Sequence, residues 1–177
     1  IEKIKNSRRQ NRILREKNGI KSVVLGGYTN AGKSSIFNLL TKENIYADDK
    51  LFATLDTTSR RLFLNDGKFC LLTDTVGFIS KLPHELVESF SATLEEVKSA
   101  DLVLHVVDVA DNFYKKNIEI TNEILDGIGA TKNRIVVLNK SDLLSGPIEI
   151  EPNQVLFSVK KKENVEKLKS LIEKVLD

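Results

Sequence analysis

The order of apolar runs in this chain predicts an α/β fold. The sheet expected is mostly parallel, of about six strands with one antiparallel strand, and helices cover both faces. Three observations carry that expectation. From Lys21 onward, short β-branched runs alternate with longer helical stretches, the pattern of strands joined by crossover helices. One pair of runs, "RRLFLNDGKFCLLTDT", meets instead at Asn65-Asp66-Gly67, a hairpin signal that adds the antiparallel strand. The chain has 177 residues, 41% of them hydrophobic, which suits one packed domain and leaves little room for a second.

Each element follows in order. Residues 1–18 hold Lys3, Lys5, Arg8, Arg9, Arg12, Arg15 and Lys17 against Glu2 and Glu16, a net +5. The whole chain carries +2, so the basic character belongs to this segment. It predicts a basic helix stopped at Gly19, either a solvated linker or a contact for RNA phosphates. "SVVLGG" reads as a buried strand and "GKSSIFNLLT" as the start of a helix. Residues 42–58 read as a loop, followed by the hairpin. "HELVESFSATLEEVKSA" is helical in pattern. "DLVLHVVDV" is a strand, and about 15 helical residues follow it. "RIVVLNKSD" and "QVLFSVK" are the last strands, and "ENVEKLKSLIEKVLD" is an amphipathic closing helix.

The organisation expected is a basic helical linker over 1–20 and one domain over 21–177. The chain lacks methionine and starts at Ile1, which predicts a piece of a longer protein. No apolar run approaches the roughly 20 residues of a membrane span, and no secretory pattern is present. Cys70 stands alone in an apolar run, so it reads as a small buried residue in a reducing, cytoplasmic protein. His105, in an apolar strand, reads as structural, and Lys160, Lys161 and Lys162 read as a solvated run.

"GYTNAGKS", residues 27–34, fits G-x-x-x-x-G-K-[ST] between a strand and a helix, the setting of a P-loop NTPase. Gly27 permits the tight turn, and Gly32 lets backbone N–H groups approach phosphate oxygens. Lys33 brings an ammonium to the β and γ phosphates, and Ser34 offers a hydroxyl to Mg²⁺. Tyr28, Thr29, Asn30, Ala31 and Ser35 complete the loop. The following helix points its positive end at the anion. "DTVG", residues 74–77, ends a later strand. There Asp74 would hold Mg²⁺ through a water, Thr75 and Val76 carry the turn, and Gly77 offers its N–H to a γ-phosphate. "NKSD", residues 139–142, matches the N-K-x-D pattern of guanine-specific P-loop proteins. Asp142 can accept from guanine N1–H and the exocyclic amine, and adenine offers no such pair. Asn139 can tie the loop to the P-loop, the Lys140 stem can cover the base, and Ser141 lies between. "SVK", Ser158, Val159 and Lys160, follows the last strand, where the N–H groups of Val159 and Lys160 could reach guanine O6. All four loops fall at strand C-terminal ends, the binding edge of an open α/β sheet.

At these residues the chain resembles the translation-factor class of P-loop GTPases, and within it the HflX family. The resemblance is carried by "GYTNAGKSS", "LFATLD", "LLTDTVGFISKLPHELVESFSATLEE", "ADLVLHVVDVAD" and "NKSDLL", and it spans about residues 8–177. It implies a GTPase domain that takes GTP and GDP and associates with the large ribosomal subunit and its rRNA. "RRQNR" resembles the basic helix that precedes the family's P-loop, so the resemblance implies a link to an N-terminal domain expected to lie outside the given sequence. The family's "FATLD" matches Phe52, Ala53, Thr54, Leu55 and Asp56, so the resemblance implies Thr54 as the second Mg²⁺ ligand among Thr54, Thr57 and Thr58. Where the family has D-P-T, this chain has Asp56-Thr57-Thr58, a less rigid turn. Val159 stands where alanine is usual.

Phe78 follows Gly77 where related proteins place a glutamine. It can neither orient a water nor take a proton, so help must come from elsewhere. Asn30 sits where potassium-activated relatives hold a monovalent cation, which makes K⁺ a candidate cofactor. A ribosomal partner is the other source, with slow turnover in its absence. His84 reads as an ordinary first-turn helix residue. Two readings of the activity stand: a GTPase enzyme, or a GTP/GDP-dependent binding module with negligible hydrolysis. "NKSD" argues against an ATP-using kinase.

Overall fold

The computed structural model describes residue 13 and residues 17–28, 30–41, 58–75, 94–131 and 133–177. The N-terminal linker therefore lies almost wholly outside the described residues. The loop over 42–57 and most of the helix expected from His84 do too. The described elements run β1 (Ser22–Gly26), α1 (Lys33–Thr41), β2 (Thr58–Phe63), β3 (Phe69–Asp74), β4 (Leu102–Asp108), α2 (Tyr114–Gly127), β5 (Arg134–Asn139), β6 (Gln154–Leu156) and α3 (Val165–Leu176). A helical stretch over 94–98 precedes β4.

One six-stranded sheet has the order β2-β3-β1-β4-β5-β6. Among the described strand pairs of this sheet only β2–β3 is antiparallel, with Thr58 opposite Asp74 and Phe63 opposite Phe69. The hairpin turns through a 3₁₀ turn at Asn65–Gly67. Gly67 is at φ +73°, a conformation glycine adopts without a Cβ clash. The parallel strands are apolar on both faces, as a sheet covered twice requires. Val23, Leu25, Leu102, Leu104, Val106, Ile135 and Val137 share a core with Ile36, Phe37 and Leu40 of α1 and Leu168 and Ile172 of α3. On the opposite face Val24 and Val103 pack with Val97 and Leu125, while Val107, Val136 and Leu138 pack with Tyr114 and Ile118. Cys70 is fully buried in the first core. Burial pushes its thiol up to about 12, so it is an inert packing residue.

The last strand is shorter than "QVLFSVK" predicts. Ladder pairing covers Gln154–Leu156, and Phe157 N–H still donates to Leu138 O. At Ser158 the backbone turns back, accepting from Glu163 N–H. Lys162 and Asn164 take positive φ in that turn. Lys160, Lys161 and Lys162 are exposed.

The sheet order sets where a ligand fits. Chain progress runs from β1 to β3 on one side, then crosses to β4 on the other. The crevice at the carboxyl ends of β1 and β4 is therefore the topological switch point.

Candidate functional site

Loops leave that edge from the carboxyl ends of β1, β3, β4, β5 and β6. Register puts Leu25 beside Asp74, Gly26 beside His105, and Asp108 beside Asn139. The strand ends thus bring Gly27, Asp74, Asp108 and Asn139 to one rim of the sheet.

The first loop wraps from Gly27 to α1. Gly27 is at φ +140°, and a Cβ there would meet Val106 O at 2.2 Å. Gly32 is at φ +97°, and a Cβ there would meet Asn139 Nδ2 at 2.3 Å. Both glycines are thus required by neighbouring strands as well as by any phosphate. Asn30 is exposed and sits at φ +66°, a left-handed turn position that asparagine tolerates. Helix α1 opens with Ile36 N–H on Gly32 O at 2.9 Å, and its first N–H groups face the same rim without intrahelical acceptors. Lys33 is 6% exposed. Its Nζ donates to Tyr28 O at 2.6 Å. Burial lowers its pKa, with Asp74 opposing the shift.

Asp74 ends β3 within reach of α1. Ser34 Oγ donates to its Oδ2 at 2.8 Å. Burial raises its pKa, against the Ser34 hydrogen bond and the Lys33 charge. Oδ1 is buried and has no partner. A carboxylate with one free buried oxygen beside a serine hydroxyl is a chemically suitable place for a hard cation. Among the described residues no group of three or more His, Cys, Asp or Glu forms a metal cluster. A cation here would be held by one or two protein oxygens together with phosphate and water, as Mg²⁺ is. Thr75 Oγ1 donates to Leu25 O at 2.5 Å, locking the start of this loop to β1.

The NKSD loop is tied to three others. Asn139 Nδ2 donates to Ala31 O at 2.8 Å. Lys140 stands at φ 64° before the 3₁₀ turn Ser141–Leu143, and its Nζ donates to Asp108 Oδ2 at 2.5 Å. Ser141 N–H donates to Phe157 O at 3.1 Å. Ser158 Oγ donates to Asp142 Oδ1 at 2.6 Å, and Lys161 N–H donates to Ser158 Oγ at 3.1 Å. Val159 and Lys160 lie within the turn that follows. The Ser158 hydrogen bond holds the Asp142 carboxyl below the usual range, helped by Lys160 and Lys161. Asn139 Oδ1 and Ser141 Oγ are buried without partners. Orphan polar atoms are uncommon in folded interiors, and Asp74, Asn139 and Ser141 put three on this rim.

Of the residues singled out in the sequence, Gly27, Tyr28, Asn30, Ala31, Gly32, Lys33, Ser34, Ser35, Asp74, Thr75, Asn139, Lys140, Ser141, Asp142, Ser158, Val159 and Lys160 lie on these loops or at their roots. Thr29, Phe52, Ala53, Thr54, Leu55, Asp56, Val76, Gly77, Phe78 and His84 lie outside the described residues. No motif singles out Asp108. Its available signal is an acid at the end of "VVD", in register with Asn139. A separate groove of about 490 Å³ between the residues around β6 and α3, lined by Ile150, Pro152 and Leu171 among others, contains none of the motif residues. Among the described residues no helix is long and apolar enough to cross a membrane.

This fold and rim define a P-loop nucleotide-binding domain with a guanine-type base loop. Residues 22–140 match the family model described as 50S ribosome-binding GTPase. The GTPase HflX of Caldanaerobacter subterraneus subsp. tengcongensis is 47% identical over 181 residues, 99% of this chain and 41% of that protein. The GTPase HflX of Escherichia coli K12 is 45% identical, covering 89% of this chain and 39% of that protein. The chain thus spans about two fifths of the length of these curated relatives. A GTP-binding protein from Sulfolobus solfataricus, solved in complex with GDP, superposes with a TM-score of 0.69 at 27% identity, covering 96% of this chain and 58% of that one. The chain belongs to the 50S ribosome-binding GTPase family, and its sequence is that of an HflX-type GTPase domain.

Proposed function

We propose that this domain binds GTP and GDP with Mg²⁺ and hydrolyses GTP to GDP and phosphate, within a cytoplasmic protein that associates with the large ribosomal subunit. The observation that carries the reading is the convergence of the P-loop, Asp74 and the NKSD loop on one rim, with three buried polar atoms left unpartnered there. Lys33 and the α1 N-terminus supply positive potential for the phosphates. Ser34 and Asp74 are the described residues proposed for Mg²⁺, Asp74 through a water, with Thr54 as the further candidate. Mg²⁺, when bound, neutralises charge across the β and γ phosphates. Asp142, deprotonated and oriented by Ser158, is the acceptor for the guanine edge, and Asn139 holds its loop against the P-loop. The proposed organisation is a linker over 1–20 and the GTPase domain over 21–177, joined to an N-terminal domain.

Phe78 favours a second reading, a nucleotide-dependent binding module with negligible hydrolysis, because the side chain after Gly77 is apolar. K⁺ held by Asn30, or a ribosomal contact, is the proposed source of the missing electrostatics. The test has two parts. GTP and GDP should bind in Mg²⁺ far more tightly than ATP; equal affinities would reject the guanine assignment. Single-turnover hydrolysis is then followed in KCl and NaCl, with and without large subunits. Turnover raised by K⁺ or by subunits supports the enzyme. A chain that binds GTP tightly and hydrolyses none under every condition is the binding module.

A further inference from the structure

Asp108 closes β4 where that strand meets the NKSD loop. Its Oδ1 accepts the N–H of Ala110 at 3.0 Å, so its own turn fixes the carboxylate. The other oxygen, Oδ2, accepts from Lys140 Nζ at 2.5 Å. Both side chains are about one-third exposed, 35% for Lys140 and 29% for Asp108, so solvent screens the pair only in part. The backbones are coupled as well. Asp108 is the register partner of Asn139, and Val109 N–H donates to Asn139 O at 3.0 Å. Lys140 is therefore held at both ends, its backbone at φ 64° and its ammonium by Asp108. A lysine stem free at its head samples many rotamers, and ordering it on binding costs affinity. A tethered stem has been ordered beforehand.

We infer that Asp108 is a positioning residue for nucleotide binding. It holds the Lys140 stem as one wall of the base site, and so sets affinity for the purine without reading its edge. The inference rests on the guanine-nucleotide reading and adds a residue to it. Edge reading belongs to Asp142, which is held by Ser158 on the other side of the loop. The two functions are separable with inosine diphosphate, a purine nucleotide without the exocyclic 2-amine.

GDP and inosine diphosphate affinities and release rates are measured in Mg²⁺ for the wild type, Asp108→Asn, Asp108→Glu, Lys140→Met and the Asp108→Asn/Lys140→Met double variant. Each protein is also melted without nucleotide. Asp108→Asn is expected to weaken both nucleotides by the same factor, about 3- to 10-fold, chiefly through faster release. Lys140→Met should do the same, and the double variant should be no weaker than Lys140→Met alone. Asp108→Glu, which keeps the carboxylate, should recover part of the loss. If Asp108→Asn unfolds, Lys140→Met leaves the Asp108 turn intact and must still show the equal loss. Wild-type affinity in Asp108→Asn overturns the inference. So do losses that multiply in the double variant, or a larger loss for GDP than for inosine diphosphate. A wild type that binds neither nucleotide rejects the guanine reading itself, which variants matching a tight-binding wild type would leave standing.

Discussion

His105 lies in the centre of β4, fully buried, with neither ring nitrogen hydrogen-bonded. Burial, then the charges of Arg134 and Lys33, lowers its pKa from 6.5 to about 4. The folded state thus resists a proton that the unfolded state accepts. Stability from this residue is complete above pH 6.5 and is lost as pH falls towards 4. A shift of that size corresponds to roughly 3 kcal/mol. Urea melts of the wild type between pH 7 and 4 should show that loss, and His105→Leu should flatten it. An unchanged slope would remove His105 as the cause. Asp74 behaves oppositely. Its folded pKa is raised, so its charged form costs stability above the carboxylate range, and the cost vanishes at low pH. Asp74→Asn should therefore leave the nucleotide-free domain as stable as the wild type or more so, while removing the Mg²⁺ dependence of GDP affinity. A large drop in Tm without nucleotide would contradict this account.

Among the described residues, side-chain bonds such as Asn139–Ala31 and Ser158–Asp142 join one loop to another, so single changes should act across elements. Gly32→Ala combines φ +97° with a Cβ 2.3 Å from Asn139 Nδ2. It is expected to destabilise by about 1–3 kcal/mol and to weaken nucleotide binding, since Asn139 must move. Asn139→Ala removes the bond to Ala31 O and should cost a similar amount, about 1–3 kcal/mol. Combined, the two should be clearly less than additive, because both break the same contact. Additive losses in denaturant melts would show that the contact is not shared. At Asn30 the backbone complicates the salt test. Alanine at φ +66° is strained, whereas glycine is not. Asn30→Gly therefore removes the amide and keeps the turn. If the amide supports a bound K⁺, this variant should lose any difference in turnover between KCl and NaCl.

For the whole molecule, ligand linkage gives the broadest test. GDP with Mg²⁺ at 100 times its Kd should stabilise the domain by about 2.7 kcal/mol, a Tm rise of roughly 5–10 °C for a chain this size. ATP at the same concentration should give a far smaller shift. Much of this was legible in sequence because it is local. Two-sided apolar strands, the Asn65-Asp66-Gly67 turn, and the glycines of "GYTNAGKS" each state a backbone requirement within a few residues. Asp108 and the early end of β6 were not legible, because each depends on what a neighbouring strand presents. Asp108 acquires a role only once β4 and β5 lie side by side with Lys140 swung across. β6 stops where the Ser158–Glu163 turn satisfies backbone groups that a longer ladder would have used. The sequence by itself determined the alternation of strands and helices, the phosphate and guanine motifs, and their position at strand ends, since periodicity and loop chemistry act over short spans. Only the tertiary structure decided that Gly32 must clear Asn139, that Asp142 is oriented by Ser158, and that Asp108 holds Lys140. Those contacts join residues 16 to 108 positions apart, and sheet order alone brings them within hydrogen-bond distance.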